Sequence, residues 1–314
     1  MAADYASLLA RLDSLRSLGV DLGLDRVRGA LAALGSPEER LPAVQIAGTN
    51  GKGSTAAMTE AILRAAGWRT GLYTSPHLSR FTERIRVAGQ EVDGDRLARL
   101  DARIVATGVP LTYFEVATLL AFLVMAEDGV ELAVLETGLG GRLDAVTACQ
   151  PLATAITSIG RDHLDYLGST LTAIAREKAG ILKPGVPGFL ARLPADADAE
   201  IARVAAQVGA PLRRLGADFD APAVASGLPG AHQRSNAALA VALASEAARR
   251  RGRPLAPAAI SAGLAGVRWP GRLEMVGDGV LLDCAHNPQG AEALAAALPE
   301  LARGRPAALV ISVV

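Results

Sequence analysis

The segment VQIAGTNGKGSTAAMTEAI, residues 44–62, constrains the fold of this chain more than any other part of the sequence. A short apolar run enters a glycine-rich turn that contains Lys52 and Ser54, and a helical pattern follows at once. Apolar residues recur at helical spacing until Gly67, which marks the end of the helix. A strand, a turn and a helix in this order predict one unit of a parallel sheet.

The glycine-rich turn is a candidate phosphate-binding loop. Its backbone N–H groups and the helix N-terminus can cradle a phosphate, Lys52 would neutralise phosphate charge and Ser54 could hold Mg²⁺. The spacing differs from the general P-loop pattern, because Ile46 stands where that pattern has glycine and Gly53 follows the lysine. A glycine-rich turn without a ligand is the alternative. The strand before the turn, the helix after it and the lysine within it favour phosphate binding.

Further apolar runs alternate with helical patterns along the chain. The predicted strands are AVQIAG from Ala43, the run Thr70–Thr74, LAVLETG from Leu132, ATAITSIG from Ala153 and GVLLDCAHNP from Gly279. The predicted helices are an amphipathic one at the N-terminus, the one after the glycine turn, and those that cover about 114–127, 235–250 and 289–302. The alternation predicts an α/β fold with a mostly parallel sheet flanked by helices, in which buried strands open into loops at their carboxyl ends.

The organisation changes in the last third of the chain. Residues 194–230 are rich in Ala, Pro, Gly and Asp and carry weak strand signals, and GVRWPGRLEMVGDG, residues 266–279, has the character of a linker. We therefore expect a large domain at 1–268 and the start of a smaller α/β domain at 269–314. A strand, a helix and a final strand at Ala307–Val314 cannot cover both faces of a sheet. The second domain is expected to be truncated, and the sequence does not distinguish a fragment from a shortened protein.

Composition narrows the classes of partner and the compartment. Lys and Arg number 32 and Asp and Glu also number 32, so nothing favours nucleic acid or an anionic membrane. Cys149 and Cys284 lie far apart without metal-type spacing, which argues against a disulfide framework. The charged N-terminal segment does not resemble a signal peptide, and no apolar run reaches membrane-spanning length. We expect a cytoplasmic protein.

Polar side chains follow neighbouring predicted strands at the point where each strand ends. Ser75 follows the run at 70–74, Glu136 ends LAVLETG and His163 lies just beyond ATAITSIG. The carboxyl ends of parallel strands share one edge of a sheet, where ligands collect. A strand-end glutamate such as Glu136 can also be an ion-pair partner or a helix cap. The three residues together form a candidate Mg²⁺ cluster, although histidine is a less usual ligand for this ion.

Ten motifs in order resemble the dihydrofolate synthase/folylpolyglutamate synthase family, a branch of the Mur-type ATP-dependent amide ligases. They are GTNGKGS, TSPHL, FTERIRVAG, TYFEVAT, ETGLGGRLDAVTA, DHLDYLG, REKAGILKPG, HQRSNAALA, PGRLE and DCAHNP. The resemblance runs from about Tyr5 to Val314. It implies a P-loop sheet of the Mur ligase central-domain type at 1–268 that binds ATP and folate, followed by a Rossmann-like ligase domain. The segment between Leu215 and His232 is shorter than the family pattern.

The resemblance also implies a reaction. ATP phosphorylates a carboxylate of dihydropteroate or of a reduced folate, and the amine of L-glutamate attacks the acyl phosphate to give an amide, ADP and phosphate. The implied partners are these small molecules, without nucleic acid or membrane, and the implied state is a monomer. Two alternatives stay open: a P-loop phosphotransferase or NTPase without an amine acceptor, and an inactive nucleotide-binding remnant.

The resemblance assigns roles to matching residues. The nucleotide-binding residues would be Gly48, Thr49, Asn50, Gly51, Lys52, Gly53, Ser54, Asn236, Arg272 and Asp283. The ligands of two Mg²⁺ ions would be Ser75, Glu136, His163 and Lys178, the last as a carbamate. The catalytic residues would be Lys52, Lys178, His163, Asp283 and His286, and the substrate-binding residues Phe114 and Asp144.

Several of these residues have ordinary structural interpretations as well. Lys178 could be a surface or ion-paired lysine, Asn236 a polar residue near a helix start and Phe114 part of the core. The form GGRLD around Asp144 is typical of family members that accept dihydropteroate, which favours dihydrofolate synthase activity with tail elongation beside it. His77, Arg84 and Arg86 lie in a loop that the family uses as a mobile cover, and solvated loop charges are an equal interpretation.

Overall fold

The computed structural model describes residues 4–16, 19, 21–277, 279–302, 304, 306 and 308–311. The strands are β1 (Ala43–Ala47), β2 (Thr70–Tyr73), β3 (Ile85–Val87), β4 (Gln90–Glu91), β5 (Leu132–Glu136), β6 (Pro151–Ile156), β7 (Gly188–Leu190), β8 (Leu212–Arg214), β9 (Glu274–Val276) and β10 (Val280–Leu282). The helices are α1 (Tyr5–Arg16), α2 (Asp25–Ala33), α3 (Lys52–Ala65), α4 (Gly94–Ala106), α5 (Tyr113–Glu127), α6 (Leu164–Leu167), α7 (Leu171–Ala179), α8 (Ala195–Val208), α9 (Gln233–Arg250), α10 (Pro257–Gly266) and α11 (Pro288–Ala302). Short 3₁₀ helices cover Pro37–Arg40, Phe81–Arg84 and Ala145–Ala148.

The main sheet has eight strands in the order β4-β3-β2-β5-β1-β6-β7-β8. Strands β2, β5, β1, β6, β7 and β8 are parallel, whereas β3 and β4 form an antiparallel edge. The central strand β1 is buried along its whole length, as its unbroken apolar run predicts. The predicted mostly parallel α/β sheet flanked by helices is confirmed.

Alternation along β1 divides the core between the two faces of the sheet. Val44 and Ile46 belong to a cluster with α3, α9 and α10, whereas Ala43 and Ala47 point to the opposite face. That opposite face carries α1, α2, α4 and α5 over one part of the sheet and α7 and α8 over another. Because helices cover both faces, the functional groups must lie at a sheet edge or at the strand ends.

The five predicted helices correspond to α1, α3, α5, α9 and α11, whereas α2, α4, α6, α7, α8 and α10 were not predicted. Strand signals were expected weakly over 194–230, yet α8 begins at Ala195 and only the short β8 is extended. Helix α8 buries Ala197, Ile201 and Ala205, which are spaced four residues apart. Alanine differs little in hydrophobicity from the residues around it. A helical period made mainly of buried alanines is therefore difficult to recognise in the sequence.

The C-terminal prediction was wrong in one respect. The apolar run from Gly279 was expected to be a buried parallel strand, but β10 pairs antiparallel with β9 and is largely exposed. The segment interpreted as a linker supplies β9, and a tight hairpin provides the nearest pairing edge for β10. Of the predicted strand Ala307–Val314, residues 308–311 have no regular structure and the remainder lies outside the described residues. The division at 268/269 stays a prediction.

The segment that follows β10 reaches back to the main sheet. The side chain of Gln289, at the start of α11, donates to the Ile159 carbonyl at 3.2 Å. Ile159 lies in the loop after β6, so the C-terminal segment meets the carboxyl end of the parallel sheet. In the described part of the chain, no helix combines the length and apolar character needed to cross a membrane.

Candidate functional site

A cavity of about 840 Å³ opens at the carboxyl ends of β1, β2, β5 and β6. Its wall includes all the site residues predicted from the sequence. They are Gly48, Thr49, Asn50, Gly51, Lys52, Gly53, Ser54, Ser75, Phe114, Glu136, Asp144, His163, Lys178, Asn236, Arg272, Asp283 and His286. Residues up to 238 positions apart in sequence therefore share one cleft, as strand-end placement predicts for a parallel sheet.

The turn between β1 and α3 has the geometry of an anion cradle. Gly51 precedes α3 with φ +84°, a conformation that favours glycine. A Cβ added at Gly48 would lie 1.9 Å from Thr157 Oγ1, and one at Gly51 would lie 2.4 Å from Asn236 Oδ1. The first N–H groups of α3 have no partner within the helix, so they are available to phosphate oxygens. The residues present therefore fit a nucleotide phosphate.

Two lysines approach the same turn. Lys52 Nζ donates to the carbonyls of Gly48 at 3.0 Å and Thr49 at 3.1 Å. Lys178 Nζ comes from α7 and donates to Gly48 O at 2.8 Å. Lys178 is 4% exposed, and burial together with the nearby Lys52 charge lowers its pKa to about 7. A substantial fraction of Lys178 is therefore the neutral, nucleophilic amine near neutral pH.

Glu136 and Ser75 form the oxygen-rich part of the wall. Glu136 is buried at the end of β5, and its Oε2 accepts from the backbone N–H of Ser75 at 3.1 Å. Burial raises the pKa of Glu136, and the charges of Lys52 and Arg272 act in the opposite direction. A divalent cation would remove the cost of a buried carboxylate, so this pair suits Mg²⁺.

His163 lies on the other side of the cleft, beyond the end of β6. It has φ +49° and precedes the short α6, and its imidazole is half exposed. Burial lowers its pKa while the adjacent Asp162 raises it, and the net shift is downwards. Among the residues that the structure describes, no three His, Cys, Asp or Glu side chains are grouped so as to hold a metal ion. Mg²⁺ sites in nucleotide enzymes often take only one or two protein carboxylates, with water and phosphate oxygens completing the shell.

Asn236 connects α9 to the phosphate cradle. It is 6% exposed and its Nδ2 donates to Gln233 Oε1 at 2.9 Å. Gln233 Nε2 in turn donates to Ser54 Oγ at 3.4 Å. Asn236 is therefore a buried residue held against the turn at residues 48–54, and its contact with a nucleotide stays a prediction.

Asp144 and Phe114 also line the cavity. The buried Asp144 carboxylate accepts from the backbone N–H of Leu139 at 2.8 Å and of Val146 at 3.0 Å. Burial raises the pKa of Asp144 to about 6. The Phe114 ring lies close to Gly138, where an added Cβ would come within 2.4 Å of Phe114 Cζ. One carboxylate beside an aromatic ring suits a flat heterocycle with N–H donors.

The segment after β10 supplies the remaining predicted residues. Asp283 accepts from the backbone N–H groups of Leu273 at 2.9 Å and Ala285 at 2.8 Å, so it shapes this segment as well as facing the cleft. His286 is largely exposed, and its Nε2 lies 3.5 Å from Asp162 Oδ2. Arg272 Nη1 donates to the Gly271 carbonyl at 3.0 Å.

Hydrogen bonds around the cleft also involve Asp162, Asn287 and Ser158, which were not predicted from the sequence. Asn50 and Asn287 exchange reciprocal amide hydrogen bonds of 3.0 Å, and Asn287 also donates to Asp162 at 3.0 Å. Ser158 Oγ accepts from the backbone N–H of Asn50 at 2.8 Å. Asp162 and Asn287 lie inside quoted motifs and could have been proposed from their place beside His163 and His286. Ser158 had no signal beyond its place after β6.

Arg84 is buried beside the cavity, although solvent exposure was an equal interpretation of the sequence. It is 7% exposed, donates from Nε to His77 Nδ1 at 2.8 Å and lies 5.2 Å over the Tyr113 ring. Arg84 and Tyr113 both line the cavity. The interpretation of Arg84 as a solvated loop charge is therefore wrong, because aromatic packing buries its guanidinium beside the site.

Comparisons with known proteins show which family this chain resembles. Residues 46–221 match the Mur ligase middle domain. The dihydrofolate synthase/folylpolyglutamate synthase of Bacillus subtilis (strain 168) is 38% identical over 310 residues, covering 88% of this chain and 72% of the relative. The structure of Escherichia coli FolC in complex with DHPP and ADP superposes with a TM-score of 0.87 at 35% identity, covering 98% of this chain and 76% of that one.

A further solved structure has a different set of bound groups. It is a bifunctional folylpolyglutamate synthase/dihydrofolate synthase with Mn, AMPPNP and L-glutamate bound. It superposes with a TM-score of 0.84 at 36% identity, covering 96% of this chain and 75% of that one. The chain thus matches about three quarters of the length of each of these proteins.

Proposed function

The chain belongs to the dihydrofolate synthase/folylpolyglutamate synthase family of ATP-dependent ligases, and we propose that it joins L-glutamate both to dihydropteroate and to the glutamate tail of reduced folates. One observation carries the proposal. A phosphate cradle with two lysines and a wall with an aromatic ring beside a buried carboxylate belong to the same cavity. ATP and the pterin-bearing substrate could therefore meet within it, with the reacting carboxylate near the cradle.

The reaction follows from the chemistry of a carboxylate. A carboxylate is a poor electrophile, and transfer of the γ-phosphoryl group of ATP to its oxygen creates a leaving group. The amine of L-glutamate then attacks the acyl carbon, the C–O bond to phosphate breaks, and the amine loses a proton. Such phosphoryl transfer depends mainly on positioning and on charge neutralisation.

Each part of the cleft has a proposed task. The turn at residues 48–54 and Lys52 would hold the phosphates, while Asn236 would contact the adenosine part. Arg272, Asp283 and His286 would face the nucleotide and the incoming glutamate from the C-terminal segment. Ser75 and Glu136, with His163, would hold Mg²⁺, which neutralises phosphate charge when bound. These assignments rest on the motif positions and on their shared cavity.

Asp144 is proposed to select the substrate. Its carboxylate would accept hydrogen bonds from the pterin ring, while Phe114 would contact the ring face. We expect Asp144→Ala to impair the dihydropteroate reaction more than tail elongation, and equal losses would remove Asp144 as a selective residue.

Lys178 is proposed to carry a carbamate and to assist a second Mg²⁺. A neutral amine is needed for reaction with CO₂, and the lowered pKa of Lys178 supplies it near neutral pH. The test is carbon NMR of the protein in ¹³C-bicarbonate. A carbamate signal should appear in wild type and be absent from Lys178→Arg, and a signal that persists in the variant would refute the assignment.

The function itself is tested by ADP release. The chain would be supplied with ATP, Mg²⁺ and L-glutamate, with and without dihydropteroate or a reduced folate. We expect turnover only when glutamate and a pterin substrate are both present, and a loss of about 100-fold or more in Lys52→Ala. Arg249→Ala removes an exposed positive charge from the end of α9 and should behave as wild type. Turnover without glutamate would instead indicate a phosphotransferase or NTPase.

Three properties remain proposals. Cytoplasmic localisation is expected from the cysteine usage and the charged N-terminal segment, and a monomeric state is expected from the sequence resemblance. The preference between dihydropteroate and longer folates follows only from the GGRLD motif around Asp144. Measuring ADP release with each substrate separately would rank the two activities.

A further inference from the structure

A polar side chain lies in the middle of the most buried strand of the protein. Gln45 occupies the centre of β1, the strand between β5 and β6, and is 0% exposed. Its strand neighbours Val44 and Ile46 are apolar and equally buried. A buried amide is costly unless its hydrogen-bonding groups find partners. Gln45 should therefore have a specific task at this position.

The partners of Gln45 all lie in the segment that follows β5. Gln45 Nε2 donates to Thr147 Oγ1 at 2.7 Å, and Thr147 Oγ1 donates to the carbonyl of Gly141 at 2.6 Å. Cys149 Sγ lies 3.8 Å from Gln45 Oε1 and can donate to it. These bonds form a continuous buried chain from the sheet to residue 141.

The same segment carries the Asp144 carboxylate. Thr147 belongs to the 3₁₀ helix Ala145–Ala148, which Asp144 caps through the backbone N–H of Val146. Gly141 and Thr147 therefore flank Asp144, and both are joined to Gln45 through one hydroxyl group. The backbone N–H of Arg142 also donates to the Glu177 carbonyl at 2.8 Å, so the segment contacts α7 as well.

We propose that Gln45 is a positioning residue for the substrate-binding segment, defined here as residues 138–148. The Gln45–Thr147–Gly141 chain fixes the backbone on both sides of Asp144 relative to the sheet. This orients the carboxylate towards a pterin-bearing ligand. The inference rests on the proposed function in that it takes dihydropteroate as the ligand. A site of this kind needs such outer support, because small displacements of a binding group weaken recognition.

Neighbouring residues provide matched variants. Thr147→Val keeps the shape of the side chain but removes the hydroxyl group that accepts from Gln45 and donates to Gly141. Thr147→Ser keeps that hydroxyl group. Gln45→Met keeps the length of the side chain without the amide. Thr154 is the cross-strand neighbour of Gln45 on β6, and its buried hydroxyl has no hydrogen-bond partner among the described residues. Thr154→Val is therefore the control for a buried polar group that does not reach the segment.

The experiment combines ligand binding with hydrogen exchange on the whole chain. Calorimetry would give the Kd for dihydropteroate and for an ATP analogue, and exchange would report amide protection over 138–148. Thr147→Val should weaken dihydropteroate binding by about tenfold, the change expected when a buried hydrogen bond is lost. Gln45→Met should weaken it less, because Thr147 can still donate to Gly141. The double variant should be no weaker than Thr147→Val alone, since both act on one chain.

Two control variants and the affinity for the ATP analogue should stay close to wild type. Thr147→Ser and Thr154→Val should bind dihydropteroate within about twofold of wild type, and the Kd for the ATP analogue should be unaffected in every variant. Exchange over 138–148 should accelerate in Gln45→Met and Thr147→Val. Wild-type exchange in both variants, or an equal weakening of both ligands that indicates general destabilisation, would overturn the proposal. If the wild type binds no dihydropteroate, the proposed function fails, and exchange still decides whether Gln45 holds the segment.

Discussion

Burial shifts the pKa values of Asp144 and Lys178, two groups of the cleft, in opposite directions. The Asp144 carboxyl has its pKa raised to about 6, and the Lys178 ammonium has its pKa lowered to about 7. In both cases the low-dielectric surroundings disfavour the charged form. Both groups are therefore placed to change protonation near neutral pH, although neither residue type does so in water. Their chemistry depends on the packing around the cleft.

Substrate binding should follow the titration of Asp144. Its folded-state pKa lies above the ordinary value of 3.8, so the acid is protonated below about pH 6 and ionised above it. Only the ionised form offers both oxygens as acceptors to pterin N–H groups. The KM for dihydropteroate should fall by roughly tenfold as the pH rises from 5 to 7, which is the change expected for one titrating group.

The control for this pH dependence is Asp144→Asn, measured over the same range. This variant cannot ionise, so its KM should be higher and should lack the step near pH 6. The KM for ATP should be measured in parallel, because the charge of Lys52 acts on Asp144 and the charge of Asp144 acts on Lys178, and both lysines contact the phosphate cradle. A pH step of equal size in the variant would show that another group is responsible.

The turn between β1 and α3 owes its shape to close packing against the loop after β6. Thr157 Oγ1 donates to the carbonyl of Asn50 at 2.6 Å, and Thr49 N donates to Ser158 O at 2.9 Å. These bonds hold the turn beside β6 and leave the first N–H groups of α3 open towards the cleft. The glycines allow this approach, because a side chain at 48 would occupy the place of the Thr157 hydroxyl.

Gly48→Ala should therefore separate the turn from β6. The added Cβ would lie 1.9 Å from Thr157 Oγ1, so either the turn or the β6 loop must move. We expect a loss of roughly 2 kcal/mol in the free energy of unfolding, comparable to an overpacked core position, and at least a tenfold weaker Kd for ATP. Denaturant unfolding and calorimetry measure the two effects.

Gly29→Ala is the matched control for this substitution. Gly29 lies within α2 and an added Cβ there meets no atom within 4 Å. Alanine is the better helix former by about 1 kcal/mol, so this variant should be slightly more stable and should bind ATP normally. If Gly48→Ala resembled Gly29→Ala in both measurements, the close approach at Thr157 would not support the cradle.

At the scale of the whole molecule, the segment from β9 to α11 is attached to the main sheet through polar contacts. Asn287 bonds both Asn50 and Asp162, and Gln289 bonds the loop after β6. Helix α11 buries only Ala297 among its described side chains. A helix held by a few hydrogen bonds opens more readily than one packed into a core. Such an attachment suits a segment that closes over a nucleotide and opens to release products.

Asn287→Ala should release this segment without unfolding the sheet. It removes the reciprocal bond to Asn50, the bond to Asp162 and the side-chain oxygen that accepts from Gly290 N at the start of α11. Amide exchange in α11 should accelerate by about tenfold, as expected for roughly 1–2 kcal/mol of lost hydrogen bonding, while exchange in β1 and β5 stays unchanged. Glu292→Ala, an exposed position on the same helix, is the control. Unchanged exchange in α11 of Asn287→Ala would mean that other contacts hold the segment.

The sequence by itself determined the α/β class, the glycine-rich turn with Lys52, the strands β1, β2, β5 and β6, and the helices α1, α3, α5, α9 and α11. Four of the five predicted strands, β1, β2, β5 and β6, are largely buried and parallel to one another, and parallel strands bring their carboxyl ends to one edge. Ser75 and Glu136, at the ends of adjacent strands, therefore contact each other, and His163 lines the same cavity. The motif resemblance added the roles of residues such as Lys178, for which local pattern offers no signal.

Only the tertiary structure decided the contacts between distant segments. The pairing of β3 with β4 and of β9 with β10 depends on which strand lies nearby. Helix α8 could not be recognised because its buried alanines differ little in hydrophobicity from their neighbours. The burial of Arg84 against Tyr113, the Asn50–Asn287 pair and the Gln45–Thr147–Gly141 chain are likewise invisible in one sequence. The spacing of apolar residues indicates which face of a helix or strand is buried. Hydrogen bonds and pKa shifts depend instead on which atoms pack against that face.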